Sequence, residues 1–172
     1  MTLLIKSLSG LSLVSLAVVL VSAQGKVNFS GTWILDKSKS DVSQFMGIGA
    51  EAEKAQNTGM TMIIDQQGTS LKVTRILKTQ DEERKEIHTY KIDGGETTNT
   101  GFRGETVIAR AFWEGDKLVV VSTRTRRVLM KDISAESRGV WSLAPDGKTL
   151  TIAAQVNSLR GEQRVKAVFD KQ

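Results

Sequence analysis

The sequence predicts an all-β fold, an antiparallel up-and-down β-barrel of about 8–10 strands. Apolar and polar residues alternate with a period of two in short runs, as strands with one face on a core require. The runs are separated by hairpin signals such as Asp93-Gly94-Gly95 and Pro145-Asp146-Gly147, in which glycine supplies positive φ angles. Helical periodicity is nearly absent. We therefore expect strands that follow one another in the chain to pair.

The individual strands follow from this alternation. The first places Val27, Phe29, Gly31, Trp33 and Leu35 on one face. The next two carry Met60, Met62 and Ile64, then Leu71, Val73 and Leu77 after a Gln67-Gly68 turn. Further strands are predicted at 87–92, 105–113, 117–129, 138–143, 149–156 and 164–169. Together they make about nine strands, a number that suits a small barrel.

Residues 1–23 have the pattern of a secretory signal peptide. Lys6 precedes an apolar stretch over 11–21, and Val21-Ser22-Ala23 offers the small residues that signal peptidase prefers. The apolar stretch is shorter than the roughly 20 residues that cross a bilayer, so no stable membrane insertion is expected after cleavage. Cleavage after Ala23 leaves one domain over 24–172. The sequence thus predicts an exported protein, periplasmic or extracellular.

Composition excludes several function classes. The chain has no cysteine, which removes disulfides, thiolate metal sites and a thiol nucleophile. A net charge of +5 is modest, and export argues against nucleic acid as a partner. The acidic run Asp81, Glu82, Glu83 and Glu86 lacks the spacing of a calcium loop and is expected at a solvated hairpin tip. We expect no metal, no cofactor and no catalytic constellation, so the protein is not predicted to be an enzyme.

A long connection over 37–58 interrupts the regular spacing of strands. Only 51–56 has a helical pattern, and a connection of this length is typically either a functional lid or a flexible loop. Phe45, Met46 and Ile48 give it an apolar tip that needs cover. We interpret it as a lid across one barrel mouth, with a flexible loop as the alternative.

Three segments resemble a known group of proteins. Gly31-Thr32-Trp33, the strand exit Asp36-Lys37-Ser38-Lys39-Ser40 and the hairpin Asp146-Gly147-Lys148-Thr149-Leu150-Thr151 are similar to secreted lipocalin-like proteins of bacteria, within the calycin group. The resemblance implies an up-and-down barrel that Gly31 and Trp33 close at one end, with an apolar lumen at the other. Lipocalins also stack an arginine on the first-strand tryptophan, and Arg164 is one candidate for that role.

Seven residues are candidates for ligand contact: Met60, Met62, His88, Tyr90, Arg110, Trp113 and Arg124. His88 is the only histidine and shares a strand face with Tyr90. Its imidazole could bind a ligand or haem iron, or it could be a hydrogen-bonded core histidine. Met60, Met62 and Trp113 fit either core packing or a lumen wall.

Arginines form the densest basic feature of the chain. Alternation places Arg124 and Arg126 on one strand face and Arg127 on the other, and Arg110 could join Arg124 from the preceding strand. Guanidinium groups bind carboxylate or phosphate through two parallel hydrogen bonds. The alternative is a solvated strand face whose charges discourage edge pairing.

These features predict a noncatalytic exported barrel that encloses a small hydrophobic or anionic amphipathic ligand. The alternative is a barrel filled by its own side chains that acts as a surface or envelope interaction module, because small barrels lie near the size that side chains alone can fill. A haem-binding barrel and an enzyme assembled from distant strands are minor alternatives. The sequence does not indicate an oligomeric state.

Overall fold

The structure is a computed structural model that describes residues 27–41, 58–79, 81–159 and 161–172. It contains ten antiparallel strands and one 3₁₀ turn, Lys37–Lys39. The strands are β1 Gly31–Leu35, β2 Gly59–Gln67, β3 Ser70–Lys78, β4 Glu83–Lys91, β5 Glu96–Thr100, β6 Thr106–Glu114, β7 Lys117–Val128, β8 Lys131–Leu143, β9 Thr149–Ser158 and β10 Gly161–Lys171. The predicted signal peptide over 1–23, the helical pattern over 51–56 and the lid residues Phe45, Met46 and Ile48 lie outside the described residues.

The strands follow one another around the wall of a nearly closed barrel. Every consecutive pair from β1 to β4 and from β5 to β10 is antiparallel, and β1 pairs with β10. The edge strands β4 and β5 lie side by side. There the Asn99 side chain accepts a hydrogen bond from the Thr89 N–H at 2.7 Å and donates to the Thr89 carbonyl at 3.2 Å. The predicted all-β up-and-down barrel is confirmed.

Because the strands alternate in direction, their connections gather at two ends. The end at which β1 and β3 finish and β2 and β4 begin, with the turns near 103, 129 and 159, is called the mouth below. The other end carries the turns near 68, 94, 115 and 146 and is called the closed end. Among the described residues no helix is long and apolar enough to cross a membrane.

Aromatic side chains fill the closed end. Trp33 is fully buried, and its Nε1 donates to the Phe29 carbonyl at 2.9 Å. The Phe29 ring stacks on Trp113 with 6.0 Å between centroids and meets Trp141 edge-on at 6.1 Å. The Lys171 ammonium lies 5.2 Å from the centre of the Trp33 ring. This end of the barrel is therefore packed by its own side chains.

Arg164 does not stack on Trp33. Its neighbour Val165 faces the interior, so the period of two turns Arg164 outward, where its side chain is 84% exposed and lies near Glu162. The cation over Trp33 comes instead from Lys171, which is directly opposite Trp33 in the β1–β10 register.

Two strands differ most from the prediction. β5 was not predicted, because its sequence Glu-Thr-Thr-Asn-Thr has no apolar face, and its ladder is formed with β6 alone. β8 begins at Lys131, seven residues before the predicted start at 138. The residues of this extension are mostly polar and are held in a strand by their pairing with β7. Alternation of apolar and polar residues does not predict a strand that is stabilised in this way.

Candidate ligand site inside the barrel

A group of charged, imidazole and hydroxyl side chains lines the interior from the middle of the barrel towards the mouth, with Tyr90 of β4 reaching it from the closed half. The inner polar cluster consists of Arg75, Glu86, His88, Tyr90, Glu105 and Arg124. Its core comes from β4, where the period of two turns Glu86, His88 and Tyr90 inward and buries all three. Their inward positions follow from the same alternation that buries Ile92 at the closed end.

Glu86 is the centre of this cluster. Its Oε1 accepts a hydrogen bond from Arg75 Nη1 at 2.9 Å, and its Oε2 accepts one from the Phe102 N–H at 3.0 Å. Arg124 Nη1 lies 3.9 Å from Oε2. The prediction that Glu86 stands at a solvated hairpin tip was wrong, because β4 begins at Glu83 and alternation then directs Glu86 into the barrel. A buried carboxylate needs such partners, and here it has them.

The hydrogen bond between His88 and Tyr90 is the basis on which we assign the tautomer of the imidazole. His88 Nδ1 lies 2.9 Å from the Tyr90 hydroxyl, which also interacts with the Arg75 guanidinium. A guanidinium only donates, so the hydroxyl accepts from Arg75, and we assign the hydroxyl proton to the bond with Nδ1. The imidazole proton is then on Nε2, 3.6 Å from Glu86 Oε2.

Burial and neighbouring charge set the protonation states. Burial, and then the positive charge of Arg75, lower the pKa of His88 to about 4, so the imidazole is neutral at physiological pH. Burial raises the pKa of Tyr90. For Glu105, burial opposes ionisation, but hydrogen bonds from backbone N–H groups and the charge of Arg124 lower its pKa overall. Two guanidinium groups thus face two carboxylates, and the cluster is close to electroneutral.

Two donors of the cluster lack a hydrogen-bond acceptor within the described part of the chain. Arg75 Nε and His88 Nε2 are both buried and neither makes a hydrogen bond of full geometry, although Nε2 lies 3.6 Å from Glu86 Oε2 and the imidazole also interacts with the Thr100 backbone. Buried donors are almost always satisfied by protein, water or ligand, so each marks a position for an acceptor oxygen. His88 is 1% exposed, which leaves its donor directed into the barrel and away from bulk solvent.

The wall opposite β3 and β4 carries small side chains. In a ring of ten strands the opposite positions are β8 and β9. Their inward residues in the mouth half include Ala135, Ser137 and Ala154, all partly exposed, and Ser137 Oγ lies 2.9 Å from Ser122 Oγ of β7. The same inward face also carries the larger residues Ile133 and Val156, both partly exposed, so this half of the wall is less completely buried than the closed half. The closed half differs, because Trp33, Leu71 and Leu118 have no exposed surface.

The structure brings only some of the predicted ligand residues together. His88, Tyr90 and Arg124 belong to the inner polar cluster. Met60 and Met62 line the interior face of β2 and are buried. Trp113 belongs to the closed-end aromatic packing, and Arg110 lies on the outer face, where its Nη2 donates to Glu96 at 3.1 Å.

Sequence reasoning did not identify Arg75 or Glu105 as site residues. Arg75 occupies an inward position in the series Leu71, Val73, Arg75 and Leu77, and a charged residue on an apolar strand face was the available signal. Glu105 lies in the turn before β6 and reaches Arg124 only through the fold. No group of three potential metal-ligating side chains occurs within the described residues.

Comparisons with known proteins support the fold. No protein-family model matches the chain, and no curated protein matches it. Three solved structures are similar over most of their length. The REP1-NXSQ fatty acid transporter has a TM-score of 0.59 and 16% identity over 83% of this chain and 95% of its own. Zebrafish ileal bile acid-binding protein complexed with cholic acid has a TM-score of 0.60 and 14% identity, and the match covers 84% of this chain and 98% of its own. Caenorhabditis elegans lipid binding protein 8 has a TM-score of 0.56 and 16% identity, and the match covers 84% of this chain and 95% of its own. At this identity the likeness concerns the ten-stranded calycin-type barrel.

Proposed function

We propose that this protein is a noncatalytic barrel that binds a small apolar or amphipathic ligand in the mouth half of its interior. The observation that carries the proposal is the pair of buried donors, Arg75 Nε and His88 Nε2, that make no full hydrogen bond within the described residues. Solved proteins of the same fold support it, since they are described as a fatty acid transporter and as a bile acid-binding protein with cholic acid. The signal-peptide pattern over 1–23 extends the proposal to an exported, periplasmic or extracellular carrier.

The ligand class follows from the charge balance of the inner polar cluster. Arg75 and Arg124 already face Glu86 and Glu105, so recognition depends on hydrogen-bond acceptors more than on net charge. A carbonyl, hydroxyl or carboxylate oxygen satisfies the unpartnered donors, while an apolar tail contacts the small side chains of β8 and β9. A carboxylate competes with Glu105 for Arg124, whose Nη1 is 3.5 Å from Oε1.

Native mass spectrometry of the protein purified from its own compartment tests the proposal directly. We expect a stoichiometric apolar adduct that is lost on denaturation. Titration with a fluorescent fatty acid then measures affinity, and Arg124→Gln is expected to weaken binding by about tenfold. Arg110→Gln removes the same charge from the outer face and should leave affinity unchanged. Equal affinity in all three proteins, or an effect confined to Arg110→Gln, would contradict this site.

The second candidate is a filled barrel that acts as a surface or envelope interaction module. The complete burial of Phe29, Trp33 and Met62 favours it, because these side chains leave no internal surface for a ligand. Under this candidate the native mass equals that of the chain alone, and the fluorescent fatty acid does not bind to the wild-type protein.

A further inference from the structure

The β7–β8 hairpin extends beyond its neighbours at the mouth. The last residue of β7 that pairs with β6 is Thr125, and the first residue of β8 that pairs with β9 is Glu136. Residues 126–133, called the projecting hairpin below, therefore pair only with one another. At about 3.3 Å per residue, the three strand residues beyond Thr125 carry the tip roughly 10 Å past β6.

Two apolar residues form the tip of the projecting hairpin. Leu129 and Met130 are 93% and 94% exposed, and both have left-handed backbone conformations, with φ of 47° and 64°. Asn-Gly is the sequence that such a turn favours. Neither the turn geometry nor core burial accounts for Leu-Met here. At the same end, Leu159 in the β9–β10 turn is 82% exposed.

Basic residues surround this apolar tip. The projecting hairpin carries Arg126, Arg127 and Lys131 against one acid near the tip, Asp132, which pairs with Arg127 at 2.9 Å. Arg126 has no acidic partner within 4 Å in the described part of the chain. Together with Arg103, the two hairpin arginines line a cleft of about 490 Å³ on the outer face of the mouth. The tip thus combines exposed apolar surface with a local excess of positive charge.

We propose that the projecting hairpin docks the mouth of the barrel on an anionic lipid surface. Leu129 and Met130 enter the boundary between headgroups and acyl chains, and Arg126, Arg127 and Lys131 contact lipid phosphates. Like charge disfavours a second copy at this tip, and two side chains offer far less area than a stable protein interface of roughly 800 Å² per partner. The contact is peripheral, and it does not depend on ligand binding inside the barrel.

Single-site labelling tests this docking. Since the sequence has no cysteine, Met130→Cys introduces a unique attachment site for an environment-sensitive nitrobenzoxadiazole fluorophore. With vesicles that contain phosphatidylglycerol we expect a blue shift and higher emission, and with pure phosphatidylcholine vesicles a much smaller change. The matched control is Asp116→Cys, labelled in the β6–β7 turn at the closed end, which should not respond. An equal response at both positions, or none at position 130, would overturn the proposal.

A second measurement separates docking from folding. Leu129→Asn/Met130→Gly keeps the turn and removes the apolar tip, so vesicle co-sedimentation should fall by about tenfold or more while the protein remains folded. Lys117→Gln/Lys148→Gln removes two charges at the closed end and should bind as the wild type does. Undiminished co-sedimentation of the Asn-Gly variant would overturn the proposal, as would self-association of the wild type in vesicle-free buffer that this variant abolishes.

Discussion

Arg75 and Glu86 face each other across β3 and β4 inside the barrel, with 2.9 Å between Nη1 and Oε1. Both side chains are largely removed from solvent, and the Phe102 N–H and Arg124 approach the other carboxylate oxygen. An ion pair in such a position fixes the geometry of the site. It also leaves an uncompensated buried charge whenever one partner is removed.

Removing one member of this pair should therefore destabilise the protein strongly. We expect Glu86→Leu to lower the free energy of unfolding by about 3–5 kcal/mol, because Arg75 stays buried without its carboxylate. Arg75→Met/Glu86→Leu should recover most of that loss, since no buried charge remains. Urea denaturation measures both. As a control, Glu96→Gln breaks the exposed pair with Arg110 and should cost no more than about 1 kcal/mol. A double variant as unstable as the single one would show that the pair itself stabilises the fold.

The titration of His88 should be unusually acidic. As the only histidine, it gives one imidazole signal in nuclear magnetic resonance spectra, and we expect a midpoint at a pKa of about 4. The unfolded chain takes up the proton nearer pH 6.5, so this group lowers the free energy of unfolding as pH falls from about 6.5 to 4. The size of this effect is at most about 3 kcal/mol. His88→Gln should lose this component while the carboxylates continue to titrate. A midpoint near 6.5 would mean that the imidazole is solvated.

The tip of the projecting hairpin should be more stable with a turn sequence that fits its backbone. Leu129→Asn/Met130→Gly relieves two left-handed residues, and we expect a gain of about 1–2 kcal/mol in the free energy of unfolding. Leu129→Ala/Met130→Ala removes the same apolar surface but keeps the backbone strain, so it should bring no comparable gain. Thermal unfolding of the two double variants measures the difference. Equal midpoints would argue against strain at this turn.

Gly31 should not tolerate a side chain. Its φ is +144°, and a Cβ atom there would lie 2.7 Å from Cε of Lys171, the residue whose ammonium covers Trp33. We expect Gly31→Ala to cost more than about 1 kcal/mol, from backbone strain together with displacement of Lys171. Gly115→Ala has a φ of +63°, in the left-handed region that other residues adopt at a smaller cost, and open space around its Cβ, so it should cost less. Denaturation curves give the free energy of unfolding of both variants. An equal loss of stability would show that the contact with Lys171 contributes nothing to the cost of Gly31→Ala.

The period-two alternation of the sequence is enough to predict most strands of the fold, but it predicts few residues of the inner polar cluster. β2 and β3 are predictable because Met62, Ile64, Leu71 and Val73 mark the inner face by themselves. β5 has no such marker, since its polar residues are held by the ladder with β6. Alternation links His88 to Tyr90 along one strand, and the same rule extends to Glu86.

Cross-strand register is what the sequence leaves open. Arg75 and Glu86 are neighbours only because the β3–β4 ladder aligns them, and Arg124 reaches Glu86 from β7 across the interior. Arg110 and Arg124 seemed comparable as basic residues on adjacent strands. The β6–β7 register pairs Arg110 with Val121 and Val107 with Arg124, so one arginine points outward and the other inward. An error of one residue in register exchanges the two faces.

The hydrogen bonds between Asn99 and Thr89 join the two edge strands of the barrel wall, β5 and β4, where no backbone ladder forms. In a fully hydrogen-bonded ring every strand pair has a ladder, whereas here the Asn99 side chain, and beyond the end of β5 the Phe102 N–H to Glu86, connect the two edge strands. The unpaired backbone edges of β4 and β5 face each other, so neither edge is open to pairing with a strand of another protein. The circumference is therefore closed by nine backbone ladders and, along one line, by side-chain hydrogen bonds in place of a tenth.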